Sequence, residues 1–317
     1  MRMITLDEAA SLLQENDHFK LLTHSYPDGD TLGGAFALAF ILRRLGKKAN
    51  VAVNGPVPSK FRYLVKNYED QDFEPQYIVS VDVAAMTLLG DSVMEGVKKI
   101  DLCIDHHRTN TVVADNIYVD GEAAAACETI YQLAGTLGVD LDEDIAAGIY
   151  TGISTDTGCF CYINTTPRTH EIAASVLPYC DWKSINNIHF VIRTRAKIKM
   201  ERMIYDTMEF YAGGKCAVVY TTLAMQKALG AGDDEMEGLA NIPRQVEGVE
   251  MGITMREKDG GVFKISVRTN EGINAAEFCK QFGGGGHPGA AGCSIEGDLA
   301  AVKKMLVDAA EAYLANP

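Results

Sequence analysis

The alternation of short apolar runs with helical stretches constrains the fold of this chain more than any other feature. Helix-like stretches such as 31–45 and 123–137 separate the runs. The strand-like runs lie near residues 20–23, 50–53, 76–81, 100–104 and 117–119. Parallel strands need such crossovers, because the chain must return to the same end of the sheet. We therefore predict an α/β fold whose N-terminal, mainly parallel sheet carries helices on both faces.

The pattern becomes a long polar helix around residues 185–210, and a smaller α/β region follows it. Its predicted strands and helices cover 215–220, 249–255, 262–268, 274–282 and 299–314. A chain of 317 residues is long for one hydrophobic core, so two domains are the default. We predict a metal-binding domain over 1–185, a linker helix over 186–210 and a smaller substrate-binding domain over 211–317.

Composition restricts the classes of function. The chain has no apolar stretch of about 18 residues, and its first residues turn acidic too soon for a signal peptide, so we expect a cytoplasmic protein without membrane contact. Eight scattered cysteines are typical of reduced thiols, and the close pair Cys159 and Cys161 fits packing near a turn better than metal or redox chemistry. A net charge of −14 argues against a coat for long nucleic acid.

Acidic and histidine residues follow the predicted strands and one predicted helix. They are His24, Asp28 and Asp30; Asp82; Asp105, His106 and His107; and Asp156. In open α/β sheets, ligands collect outside the carboxyl ends of the strands, so we expect these side chains to form one metal site. Oxygen and nitrogen donors suit manganese or a similar ion better than structural zinc. Asp82, at a central strand end, is the candidate for bridging two ions.

A second constellation lies in the C-terminal region, where four consecutive glycines precede His287. Successive glycines let backbone N–H groups approach an anion closely, and the imidazole can donate to a phosphate or sugar oxygen. Arg268 ends a predicted strand and could face the same ligand. A flexible turn is the alternative interpretation of the glycine run.

Together these motifs resemble the DHH phosphoesterase superfamily, and the resemblance covers nearly the whole chain. The matching residues are His24-x-x-x-Asp28-x-Asp30, Asp82, Asp105-His106-His107 and the segment from Gly152 to Gly158. The glycine–histidine run is similar to the DHH-associated C-terminal domain. The segments 242–244, 264–268 and 283–292 look most like the bifunctional oligoribonuclease and pAp phosphatase branch. One departure is the apolar segment after Asp82, where relatives often carry a polar residue and an arginine.

The resemblance implies a role for each residue. It places His24, Asp28 and Asp82 around one metal. Around the other metal it places Asp30, Asp82, His106 and Asp156. It implies that His107 contacts the scissile phosphate as a charge stabiliser or acid, and that Asp105 orients the histidines. The substrate-binding residues that it implies are Arg268, Gly284, Gly285, Gly286 and His287.

The expected activity is a two-metal phosphohydrolase that releases mononucleotides from very short oligoribonucleotides and dephosphorylates adenosine 3′,5′-bisphosphate (pAp). The expected ions are Mn²⁺, with Mg²⁺ or Co²⁺ as alternatives. The expected partner is a short oligoribonucleotide or nucleotide rather than long duplex nucleic acid, and a homodimer is left open. Alternatives are a cyclic- or linear-dinucleotide phosphodiesterase, a pyrophosphatase-like enzyme, a DNA exonuclease and a nucleotide-binding sensor. A dinucleotide-dependent oxidoreductase is disfavoured, because the first βα turn lacks G-x-G-x-x-G.

Overall fold

A computed structural model describes residues 1–229, 238–270 and 272–315, and it divides into two compact units after Ile192. The strands of the first unit are β1 (Arg2–Met3), β2 (Phe19–Leu22), β3 (Ala49–Ala52), β4 (Tyr77–Val81), β5 (Leu102–Asp105) and β6 (Asn116–Val119). Its helices are α1 (Leu6–Glu15), α2 (Gly29–Arg44), α3 (Asp91–Met94), α4 (Ala126–Thr136), α5 (Glu143–Asp156), α6 (Pro167–Val176) and α7 (Trp182–Asn186).

The strands of the first unit form one sheet in the order β1-β6-β5-β4-β2-β3. Each of these neighbouring pairs is parallel. From β2 the chain moves to one edge through β3, and from β4 it moves toward the other, so the direction of winding changes between β2 and β4. In doubly wound folds a ligand crevice opens at such a switch point. The predicted α/β class and parallel sheet are confirmed.

Apolar clusters cover both faces of this sheet. Neighbouring residues of a strand point to opposite faces, so each strand contributes to both clusters. Leu21 and Ile104 pack in the larger core cluster with apolar residues of α1, α2, α4 and α5. Leu22 and Cys103 pack in a smaller cluster on the other side, with Val93 of α3. The long helices therefore support one face of the sheet, and short elements cover the other.

Helices α2 and α5 approach each other closely at glycines. A Cβ on Gly33 would overlap the carbonyl oxygen of Gly148, and a Cβ on Gly148 would overlap that of Gly33. Nearer the start of α2, a Cβ on Gly152 of α5 would overlap the carboxylate of Asp30. Asp30 lies at the start of α2 and Asp156 at the end of α5. The missing side chains thus let two carboxylates on separate helices come together.

The second unit begins at Arg193. Its strands are β7 (Glu209–Tyr211), β8 (Cys216–Thr221), β9 (Met251–Lys258), β10 (Val262–Thr269), β11 (Gly285–His287) and β12 (Ala290–Glu296). Its described helices are α8 (Arg195–Asp206), α9 (Leu223–Leu229), α10 (Ala275–Lys280) and α11 (Leu299–Ala315). The sheet order is β11-β12-β10-β9-β8-β7, with β8 and β9 parallel and the other pairs antiparallel.

Helix α8 differs from the linker helix expected over 186–210. It is shorter, and its buried Met200 and Ile204 pack with Val219 and Leu239 of the second unit. These two apolar residues are four positions apart, so they lie on one face of the helix and pack together. The helix is therefore an element of the second unit. The domain boundaries at 185 and 211 stay a prediction.

Part of the glycine run forms a strand, which neither the anion-binding interpretation nor the flexible-turn alternative included. Gly285, Gly286 and His287 form β11, an edge strand paired with Gly292, Ala291 and Ala290 of β12. The side-chain pattern gave no strand signal, since glycine is depleted in strands. Pairing with β12, which follows directly after Pro288 and Gly289, decides the conformation here.

The described helices offer no membrane span, since none of them is both long and apolar enough to cross a bilayer.

Candidate functional site

His24 and Asp28 lie in the loop between β2 and α2, at the carboxyl edge of the first sheet. Asp28 is the N-cap of α2, and its carboxylate accepts hydrogen bonds from the backbone N–H groups of Asp30 (3.1 Å) and Thr31 (3.2 Å). These bonds fix its direction at the helix start. The Nε2 atom of His24 lies 3.5 Å from Asp28 Oδ1 and 3.9 Å from Asp82 Oδ2.

Asp82 follows β4 directly and has a left-handed backbone, with φ of 57°. Aspartate tolerates this region better than most residues. Its N–H donates to the carbonyl of Ile104 (2.9 Å), so the neighbouring strand holds the bend. Its side chain is buried, and Oδ1 has no hydrogen-bond partner among the described residues. A buried carboxylate oxygen without a partner is costly, and such an atom is suited to a cation.

Asp105 ends β5 and orients the two residues that follow it. Its Oδ1 accepts from the backbone N–H of His106 and from Nδ1 of His107, both at 2.8 Å. The side chain of Asn110 donates to Oδ2. His107 Nδ1 also lies 3.5 Å from Asp82 Oδ1. Asp105 therefore turns the Nε2 atom of His107 away from itself and leaves it available for a ligand.

His106 is oriented from the other side by a backbone carbonyl. Its Nδ1 lies 3.1 Å from the oxygen of Ala123, which fits an N–H donor at Nδ1. The opposite atom, Nε2, then lies 3.4 Å from Asp156 Oδ2, 3.5 Å from Asp82 Oδ1 and 3.8 Å from Asp30 Oδ2. A neutral imidazole held in this way presents a lone pair toward three carboxylates, which is the arrangement of a metal ligand.

Asp30 is fully buried and is held by the start of another helix. Its two carboxylate oxygens accept from the N–H groups of Ala126 (2.6 Å) and Cys127 (2.9 Å). The N-cap of α4 is Ala125, whose side chain provides no cap. Asp30 satisfies two of the four N–H groups that every helix start leaves open. The positive end of α4 also favours its negative charge.

Three overlapping groups of side chains could each hold a metal ion, because their ligating atoms lie within 4.8 Å of one another. The groups are His24, Asp28 and Asp82; Asp30, His106 and Asp156; and Asp82, Asp105, His106 and His107. The side chains predicted to bind metal thus lie together at one edge of the sheet, and Asp82 belongs to two of the groups. Their assignment to particular ions stays a prediction.

Crowding of carboxylates changes their acidity. Burial and the nearby Asp30 raise the pKa of Asp82 well above its usual range, and the same two causes raise the pKa of Asp156 to about 8. Burial also raises the pKa of Asp30. Burial opposes the charge on His106, but Asp30 and Asp156 outweigh it and raise the histidine pKa. The folded chain therefore concentrates negative charge that a divalent cation would neutralise.

Two carboxylates of the cluster behave in the opposite way. Burial would raise the pKa of Asp28 and Asp105, but hydrogen bonds outweigh it and lower both values. For Asp28 the main donor is His24, and for Asp105 it is His107. These two acids stay ionised over the ordinary pH range.

The second unit contains a cavity of about 660 Å³ beside the glycine run. Arg268, Gly284, Gly285 and Gly286 contribute to its lining, whereas His287 does not. Arg268 lies on β10 opposite Ala290 of β12, and its guanidinium donates to the carbonyl of Val267 (3.0 Å). The structure therefore groups the arginine with the three glycines, and it leaves the predicted histidine outside the cavity wall.

Family models match both units of the chain. The DHH family N-terminal domain matches residues 19–153, and the DHHA1 domain matches residues 214–316. A protein of Thermus thermophilus named bifunctional oligoribonuclease and PAP phosphatase NrnA is 30% identical over 280 residues, which cover 87% of this chain and 84% of that protein. The chain belongs to the DHH family of phosphoesterases. The expected family is confirmed, and with it a hydrolase of phosphate esters.

Solved structures agree on the fold. An exopolyphosphatase-related protein from Bacteroides fragilis superposes with a TM-score of 0.88 at 22% identity, covering 97% of this chain and 96% of that one. RecJ of Thermus thermophilus, solved in complex with Mn²⁺, gives a TM-score of 0.56 at 17% identity, covering 98% of this chain and 55% of RecJ. At these identities the likeness concerns the fold alone.

The sequence motifs do not include the groups that hold the predicted ligands in place. Asn110 binds Asp105, the carbonyl of Ala123 orients His106, and the N–H groups of Ala126 and Cys127 bind Asp30. One signal was available: the alanines before α4 lack any capping side chain, so that helix needs a cap from elsewhere. Backbone partners leave no other trace in the sequence.

The close pair Cys159 and Cys161 lies in the turn after α5, and Cys161 Sγ lies 3.5 Å from the carbonyl oxygen of Cys159. Within the described residues, the groups that could hold a metal include no cysteine. All eight cysteines of the chain are free thiols.

Proposed function

We propose that this protein is a two-metal phosphohydrolase that releases mononucleotides from very short oligoribonucleotides and also removes a phosphate from pAp. The observation that carries the proposal is Asp82: its buried Oδ1 has no partner among the described residues and faces His106 and His107. The substrate class rests on the Thermus relative, whose name specifies an oligoribonuclease and PAP phosphatase.

We assign His24, Asp28 and Asp82 to one divalent ion. We assign Asp30, Asp82, His106 and Asp156 to the other. The donor chemistry fits, since carboxylate oxygens and imidazole nitrogens together suit manganese and related ions. We propose Mn²⁺ as the ion, with Mg²⁺ and Co²⁺ as alternatives; RecJ, which shares the fold, was solved with Mn²⁺. Divalent ions bound to such a site lower the pKa of water and stabilise negative charge on a phosphate.

The protein residues have separate tasks in this scheme. Asp105 fixes the ring of His107 through Nδ1, so Nε2 can donate to the scissile phosphate as a charge stabiliser or acid. The carbonyl of Ala123 performs the same orienting task for His106. The amides of α4 hold the carboxylate of Asp30 in a fixed direction. Burial of Asp82 and Asp30 removes competing water from these carboxylates.

In the second unit we assign Arg268 and the glycines of its cavity to a phosphate or sugar group of the substrate. A guanidinium forms charge-assisted hydrogen bonds with phosphate oxygens, and glycine backbones allow close approach. We also assign His287 to substrate binding, because it directly follows these glycines in the chain. Long duplex nucleic acid is not proposed as a substrate, because a net charge of −14 provides no broad basic surface. Assembly as a homodimer stays a prediction that sedimentation would test.

Product analysis tests the proposal directly. Purified protein with Mn²⁺ is given a labelled ribodinucleotide, pAp and pyrophosphate, and the products are separated over time. We expect mononucleotides from the first and adenosine monophosphate from the second, both faster than phosphate from pyrophosphate. Faster release from pyrophosphate would overturn the nucleotide assignment. Tight nucleotide binding without turnover, with Mn²⁺, Mg²⁺ and Co²⁺ in turn, would identify a sensor instead.

A further inference from the structure

The turn after α5 has an unusual backbone immediately next to Asp156. Gly158, Cys159 and Phe160 have φ angles of 55°, 56° and 65°, three successive residues in the left-handed region. Two of them carry side chains, for which this region is unfavourable. Backbone strain of this kind persists only where the surroundings enforce it, and it concentrates at functional sites.

Contacts at both ends hold the turn. The ring of Phe160 stacks on His170 with 5.1 Å between centroids and 21° between planes. The side chain of Asn164 donates to the carbonyls of Asp156 (3.1 Å) and Ala124 (3.0 Å). Phe160 and Asn164 therefore fix the turn against the rest of the first unit, and Asn164 also links it to Asp156, a proposed metal ligand.

Tyr162 is an exposed aromatic residue of this turn. Its N–H donates to the carbonyl of Thr157 (2.9 Å), and a Cβ on Gly158 would overlap three atoms of its ring. The ring is thus packed against the glycine backbone, yet the residue is 42% exposed. Two peptide links of about 3.8 Å each place Gly158 within roughly 7.6 Å of Asp156, Cα to Cα. An aromatic ring held in place therefore lies on the turn that directly follows Asp156, a proposed metal ligand.

We propose that Tyr162 is a stacking platform for a nucleobase of the substrate and so helps to determine specificity. Every base has a π-face, and stacking on an aromatic side chain tolerates sequence variation, as a nuclease for short RNA requires. Because Gly158 already holds the ring, little side-chain freedom is lost when a base binds. Tyr26, between His24 and Asp28, is 88% exposed, so it is the weaker candidate.

This inference rests on the proposed function, because it requires a substrate with bases. The competing explanation is that Tyr162 only covers Gly158 and stabilises the turn. Three variants separate the two explanations: Tyr162→Ala, Tyr162→Phe, which keeps a ring of nearly the same shape, and Ile163→Ala. Ile163 is the next residue on the same turn and is 91% exposed, which makes it a matched control.

The variants are compared on a ribodinucleotide and on two analogues that each lack one base. Base stacking supports about a tenfold increase in KM for Tyr162→Ala on the intact dinucleotide, with kcat within about twofold. On one of the two analogues, Tyr162→Ala should match the wild-type KM, because the stacked base is already missing. Tyr162→Phe and Ile163→Ala should behave like the wild type on all three. An equal rise on all substrates, or no rise at all, would overturn the proposal.

A binding experiment keeps this inference distinguishable from the proposed function. Stacking of 2-aminopurine ribonucleotide on an aromatic ring quenches its fluorescence, and no turnover is needed. Quenching by the wild type that Tyr162→Ala loses and Tyr162→Phe retains supports the platform, even if the dinucleotide proves to be the wrong substrate. Equal quenching by the wild type and Tyr162→Ala would refute the platform while leaving hydrolysis intact.

Discussion

The proposed metal-binding cluster of the first unit and the Arg268 cavity of the second unit differ in the groups that form them. The cluster consists of aspartate and histidine side chains from the ends of β2, β4, β5 and α5 and the start of α2, and further hydrogen bonds direct several of them, such as Asp30, His106 and His107. The cavity wall contains five glycines, and its cationic side chains are Arg268 and Lys264. Side-chain identity therefore defines the first region, and backbone geometry defines the second. We expect substitutions in the cluster to reduce turnover and substitutions in the cavity to weaken binding.

The largest expected effect comes from Asp82→Asn, which removes the charge but keeps a residue that tolerates a φ of 57°. We expect kcat to fall by roughly 1,000-fold or more, since the proposed ligand of both ions is lost. Steady-state kinetics with Mn²⁺ would measure this. Asp82→Ala should lose as much activity and, in addition, unfold at a lower temperature, because alanine is strained in the left-handed region. Near-normal turnover by Asp82→Asn would refute the bridging role.

Asp105→Asn should have the next largest effect. The residue is proposed to orient His107 and not to bind an ion, and loss of such a partner costs about 10- to 100-fold in activity. The loss should appear in kcat, whereas Mn²⁺ affinity, measured by calorimetry, should change less than it does in Asp82→Asn. The control is Asp115→Asn, an exposed acid paired with Lys99, which should leave activity unchanged. Equal loss of metal affinity in Asp105→Asn and Asp82→Asn would show that Asp105 affects the ion as directly as Asp82 does, and not only through His107.

Arg268→Ala tests the cavity. Charge-assisted hydrogen bonds contribute about 1.5–3 kcal/mol, so we expect KM for a dinucleotide to rise by roughly 10- to 100-fold while kcat changes little. Arg268→Lys keeps the positive charge but not the planar guanidinium, so its KM should lie between those of the wild type and Arg268→Ala. A change in kcat with an unaltered KM would place Arg268 in the chemical step and break the contrast between the regions.

The smallest expected effect is on stability without metal. Asp156 has a pKa of 3.8 when unperturbed and about 8 in the folded chain, so its contribution is favourable at low pH and is lost as the pH rises toward 8. The raised pKa values of Asp30, Asp82 and His106 act in the same direction. We expect metal-free protein to unfold at least about 2 °C lower at pH 8 than at pH 5.

Mn²⁺ should raise the thermal midpoint more at pH 8 than at pH 5, because it neutralises the ionised cluster. Differential scanning fluorimetry at both pH values would measure the difference. The lowered pKa values of Asp28 and Asp105 act below about pH 4 and do not enter this window. If Asp156→Asn kept the full pH dependence, Asp156 would not contribute to it.

The sequence was sufficient to predict the fold and the proximity of the proposed ligands. Asp82 and Asp105 follow apolar runs, and parallel strands bring their carboxyl ends to one edge, so neighbourhood follows from topology. The left-handed conformation of Asp82 was not foreseeable, because it depends on a bond to the neighbouring strand. The strand over Gly285–His287 was missed for a similar reason: pairing with Ala290–Glu296 overrides the low strand propensity of glycine.

Asp30 belongs both to the packing of the first unit and to the proposed site. Its carboxylate accepts hydrogen bonds from the amides at the start of α4, and the same carboxylate is a proposed metal ligand. A substitution at this position would therefore leave the start of a core helix uncapped as well as remove a ligand. Asp30 is thus a position where activity and folding would be lost together.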